Sequence, residues 1–185
     1  MAALSSLGTV RLCRVLMGGL VACRRSVDDS GASAVEFALV LPLLLLVVFG
    51  IINFGVVFSQ QLTLNNAVRS GARSGVVVGQ LLDCPAIRSK VSGDLSGLAM
   101  DPAIASARVT LLTASGSVVT TPCSGAFLLL SDQTTGAGVY PCAGSAPGTS
   151  VVVDGQYPSS LPVSFPPFPT TLPLSAKAVY VCEFG

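Results

Sequence analysis

Residues 37–58 read FALVLPLLLLVVFGIINFGVVF, and Asn53 is the only polar side chain among them. As a helix, this 22-residue run covers about 33 Å, at ~1.5 Å per residue. The hydrocarbon core of a bilayer is ~30 Å thick, so one crossing fits. A core helix of a globular protein rarely stays apolar on every face for this long. No charged residue lies between Glu36 and Arg69. The run therefore predicts a membrane-spanning helix, assigned here to residues 32–58. Arg11, Arg14, Arg24 and Arg25 precede it, against Asp28 and Asp29. That excess of basic residues keeps the N-terminal side in the cytoplasm and sends the larger C-terminal part across.

The rest of the composition narrows the function. Of 185 residues, 51% are apolar and only 10% charged. Such a chain is not globally disordered, because disordered chains are polar and charge-rich. Its net charge of +1 gives no basic footprint for nucleic acid. It has no His, which removes the usual general base and the commonest metal ligand. Serines are plentiful but lack that partner, and the acids are scattered. No catalytic residue, cofactor or metal site is expected, and the chain reads as a non-enzyme.

Helical periodicity continues past the apolar run. Leu64, Val68, Ala72 and Val76 recur every four residues, with polar side chains between them. An amphipathic continuation is expected over 59–79, within a single helix from about residue 33 to 77. Pro42 removes one backbone bond inside it and permits a kink. Gly50, Gly55, Gly71 and Gly75 are small positions that let another helix approach closely. Arg69 and Arg73, four apart, form one exposed basic edge, available to solvent, lipid phosphate or a neighbouring subunit.

The junction before the run carries the functional signal. Ser33 and Glu36 have the spacing of a capping box, which satisfies free amides at a helix start. A second reading covers more of the segment. Arg24 and Arg25, then Gly31, four small or apolar residues, Glu36 and Phe37 stand ahead of the apolar run. This order resembles the prepilin-peptidase site of type IV pilins. The resemblance implies cleavage between Gly31 and Ala32, with Glu36 as the mature fifth residue. It also implies that residues 1–31 are a cytoplasmic leader; a start at Met17 would shorten that leader to 15 residues. A secretory signal fits less well, because the apolar run far exceeds a ~7–15-residue apolar region.

The stretch from Gly31 through Leu45 more specifically resembles the TadE-like family of the tight-adherence (Flp) pilus system. Asn66 to Arg73, NAVRSGAR, is similar to the family's stretch at the end of its long helix, with Ser70 where Glu is usual. Residues 174–183 are similar to its closing strand. The resemblance implies a minor pseudopilin needed for pilus assembly. Its partners would be membrane lipid, a prepilin peptidase, other pilins and pseudopilins, and the assembly-platform proteins. Glu36 would meet the free amine of a neighbouring subunit.

Residues 80–185 form a different region. Asp83 and Pro85 open a short helix whose apolar stripe is Ile87, Val91, Leu95 and Leu98. Strands are expected at 107–113, 118–121, 127–130, 149–153 and 175–184. Six prolines between 158 and 173 predict an extended loop there. The fold class is α+β: a long N-terminal helix with a small C-terminal antiparallel β-domain packed on its outer half. Cys13 and Cys23 fall in the leader. Cys84, Cys123, Cys142 and Cys182 lie beyond the span, and an even number in an exported domain predicts two disulfides. The preferred pairing is Cys84–Cys182 with Cys123–Cys142. Zinc is disfavoured, because no CxxC pair is present. The alternative to a pilus subunit is a single-pass, membrane-anchored extracytoplasmic binding domain that never enters a fibre.

Overall fold

The computed structural model describes residues 30–77, 82–96, 100–119, 123, 125–163 and 170–183. Residues 1–29 of the leader, with Cys13 and Cys23, and Leu98, Pro166, Pro167 and Pro169 lie outside the described residues. The chain divides into two units, Met1–Leu46 and Val47–Gly185. In the first, the described residues are helical. The second holds the remainder of that helix, a short helix and one sheet.

Helix α1 is Ser30–Ser74. It starts three residues before the expected cap, so Ser33 lies in the first turns and not ahead of them. At the other end, Gly75 donates to the Gly71 carbonyl at 3.3 Å, and the Ser74 hydroxyl reaches the same oxygen at 2.7 Å. Arg73 in the last turn suits the negative end of the helix dipole. Helix α2 is Cys84–Ser96. Asp83 caps it: its Oδ1 accepts from the Ala86 amide at 3.0 Å, and its Oδ2 accepts from Gly138 at 3.0 Å.

Five antiparallel strands follow: β1 (Ser106–Leu112), β2 (Val118–Val119), β3 (Leu128–Leu129), β4 (Ser150–Ser160) and β5 (Thr171–Val181). The order is β2-β1-β4-β5, with β3 also paired to β1. Gly116, at φ 80°, makes the turn between β1 and β2 that a Cβ would strain. Alternation sorts the faces. Val109, Leu111, Val151, Val153, Ala176 and Ala178 point inward. They meet Leu64, Val68 and Ala72 of α1 and Ile87, Val91 and Leu95 of α2 in one core. Gly155 admits α1: a Cβ there would stand 2.6 Å from Val68 Cγ2 and 3.3 Å from Leu64 Cδ1. On the outer face, Arg108 pairs with Asp154 at 2.9 Å and lies over the Phe127 ring, with Lys177 in register beside Asp154.

Two expectations are corrected. The proline-rich stretch is not wholly loop: Pro158 lies in β4 and Pro173 in β5, directly opposite each other. Proline has no N–H, so such a pair stands where neither residue bonds across the ladder. The β1 pairing ends at Gln156, which leaves the other edge of β4 free beside Pro158. The disulfides are Cys84–Cys123 and Cys142–Cys182, with Cα–Cα distances of 5.6 and 5.7 Å. Topology decides this pairing. Ser150 opposes Val181, and the Cys182 amide donates to Thr149 at 2.8 Å, which brings Cys182 to the segment preceding β4. Cys84, at the start of α2, instead meets Cys123 around Gly136, where a Cβ would stand 3.1 Å from Cys84 Sγ and 3.5 Å from Cys123 Cα. The bridges span 39 and 40 residues, and loop-closure entropy makes each worth about 4 kcal/mol.

Candidate functional site

Gly31 and Ala32 stand in the first turn of α1, and Glu36 and Phe37 in the turns that follow. The Glu36 side chain is exposed, and among the described residues it has no ion-pair partner. Every residue from 33 to 48, Pro42 included, is exposed. Two turns of apolar side chains such as Leu39, Leu43 and Leu46, 66–75% accessible, therefore have no cover within the described chain. A surface of this kind is stable only against lipid or another apolar helix.

The next stretch of α1 is latched to the β4–β5 hairpin. Asn53 Nδ2 donates to the Val163 carbonyl at 2.8 Å, and the Val163 amide donates back to Asn53 Oδ1 at 3.2 Å. The amide thus pairs with the hairpin backbone as a second strand would. Higher up, the Ser159 hydroxyl donates to Gln60 Oε1, and Gln61 Nε2 donates to the Ser175 carbonyl at 2.8 Å. Sequence reasoning noted Asn53 only as an interruption. The signal was available in retrospect, since an amide in an apolar run needs a partner.

The small positions of α1 behave in two ways. A Cβ on Gly75 would stand 2.8 Å from Ile87 Cδ1, and one on Gly71 would overlap Val91 Cγ2. The helix that approaches here is the chain's own α2. Gly50 and Gly55 have nothing within 4 Å of the Cβ position.

Arg88 of α2, which sequence reasoning passed over, is buried with 1% exposure. Its guanidinium donates to the Asp132 carbonyl at 3.1 and 3.0 Å and to the Thr135 carbonyl at 2.6 Å. Burial lowers its pKa, while the nearby Asp132 and Asp83 charges act in the opposite direction. The Asp132 carboxylate accepts from the Thr135 hydroxyl, both the Thr134 and Thr135 amides, and the Thr134 hydroxyl. The hydroxyl of Thr135 first, then the amides, hold it well below the usual carboxylate range. Arg88 and Asp132 together fix the 132–135 turn.

Arg69 and Arg73 line an open groove of about 400 Å³ with Lys90 and Tyr180. Lys90 is paired with Asp94 at 3.1 Å. Among the described residues neither arginine has an ion-pair partner, and no group of acids, cysteines or histidines could hold a metal.

An exposed acid six residues ahead of Pro42, an uncovered apolar helix and an arginine pair beyond it lie on one element. Residues 31–73 match the TadE-like protein family. The match covers α1 from Gly31 to Arg73, about a quarter of the chain. No curated protein and no solved structure matches the chain. The TadE-like family is associated with the tight-adherence pilus system and is not enzymatic in kind. The TadE-like segment also holds one helix long and apolar enough to cross a membrane, consistent with membrane anchoring.

Proposed function

We propose that the protein is a minor pseudopilin of a tight-adherence pilus, inserted in the cytoplasmic membrane and cleaved after Gly31 by a prepilin peptidase. The single observation that carries this reading is the TadE-like match along α1. The exposed surface of residues 33–48 supports it, since assembled helices would cover that surface. The N-terminus lies in the cytoplasm and the β-domain outside. Cleavage creates an amine on Ala32, five positions from the carboxylate of Glu36 counted inclusively. In a low-dielectric helix bundle, an unpaired charge is costly and an opposite pair is not. Glu36 of one subunit and the Ala32 amine of the next therefore set register, with Phe37 packed beside them. Pro42, Gly50 and Gly55 let neighbouring helices close in, while Gly71 and Gly75 serve the fold within the chain. Arg69 and Arg73 offer the assembling pilus or its platform a basic contact. Replacing Gly31 with Leu in the native host tests the reading. The expected result is an unprocessed chain and loss of surface pili; processed protein with intact pili would contradict it.

A further inference from the structure

Accepting the membrane crossing proposed above, we propose that the end of the β4–β5 hairpin marked by residues 161–163 and 170–172 rests on the lipid headgroup layer, and that the bilayer crossing of α1 ends at Ile52 and not at Phe58. The latch between Asn53 and Val163 carries this. Both polar groups of the Val163 backbone bond the Asn53 amide, so the two residues stand at one level. Leu161, Pro162 and Val163 follow the last β4 residue and are irregular backbone. β5 is the edge strand of the sheet, and past Gln156 β4 has lost β1 as well. Open sheet edges do not occur within the hydrocarbon, because their amides and carbonyls would go unsatisfied. The level of Val163, and therefore of Asn53, lies outside that layer.

The lengths agree. Residues 35–52 cover about 27 Å as a helix, close to the ~30 Å hydrocarbon thickness. The full apolar run would submerge the latch. From Asn53 upward, α1 and the hairpin stay side by side, through Gln60 with Ser159 and Gln61 with Ser175. The hairpin suits the headgroup boundary chemically. From 155 to 176 the chain carries no charged side chain. Leu172 and Pro162 are exposed at this end. Phe54 and Phe58, stacked at 5.9 Å and exposed, occupy the turns of α1 that follow Asn53, where aromatic side chains anchor membrane proteins.

The chain has no Trp, so single introduced tryptophans report depth without background. Leu161→Trp and Leu172→Trp probe the hairpin end, Val47→Trp the crossing, and Val118→Trp the opposite end of the sheet. Each full-length variant is reconstituted in phosphatidylcholine–phosphatidylglycerol vesicles and quenched with lipids brominated at shallow or deep acyl positions. The expected result is blue-shifted emission at Leu161→Trp and Leu172→Trp, with shallow quenching several-fold above Val118→Trp, and deep quenching at Val47→Trp. Hairpin tryptophans that match Val118→Trp while Val47→Trp is quenched would overturn the seat and leave the crossing intact. An unquenched Val47→Trp would overturn the crossing and the seat with it.

Discussion

Single side chains in this protein divide between holding the outer domain and serving other molecules. Arg88 belongs to the first group. Its guanidinium satisfies two carbonyls of a turn that has no ladder of its own. Arg88→Met keeps much of the volume but leaves those carbonyls unpaired, at a cost of about 2–4 kcal/mol. Thermal unfolding of the full chain in detergent should show the loss directly. Asp132 sets an acid limit on the same turn. Its folded pKa is lowered, so its contribution is complete above the unfolded value, about 4. It is lost as pH falls from there toward the folded value, because the unfolded chain then binds the extra proton. The stability gap between the wild type and Asp132→Asn should therefore be widest near neutrality and narrow below about pH 4. A gap independent of pH would remove the carboxylate charge from the explanation.

Within the elements, α1 has two jobs along its length, and its glycines separate them. Gly71 lies against Val91, so Gly71→Leu overpacks the α1–α2 contact and should cost about 1–3 kcal/mol. Gly50→Leu meets nothing within 4 Å and should leave the unfolding temperature of the purified chain unchanged. Any loss of pili in that variant then comes from contacts with other chains. The periodic half of α1 was readable from Leu64, Val68 and Ala72, because a period near 3.6 leaves one solution for the buried face. The cap of α2 and its buried Ile87, Val91 and Leu95 were readable for the same local reason. The length of β4 and the disulfide pairing were not. Both depend on register between segments far apart in the chain, and Pro158 and Pro173 signal a break unless their partner strand is known. Arg88 was equally hidden, since a lone arginine on a short helix looks solvated until the turn that covers it is placed.

For the molecule as a whole, an anchored β-domain and an exported pilus subunit would share nearly every feature above residue 53. They differ at the helix head, where Gly31, Ala32, Glu36 and Phe37 were legible by resemblance and not by any packing rule. The TadE-like match begins at Gly31 itself. The most direct test is the intact mass and N-terminal sequence of the protein taken from its native membrane. Prepilin-type processing predicts a mature chain that starts at Ala32 and carries Glu36 fifth. A chain that still bears the segment before Gly31 would contradict it and leave the protein an anchored domain outside the fibre.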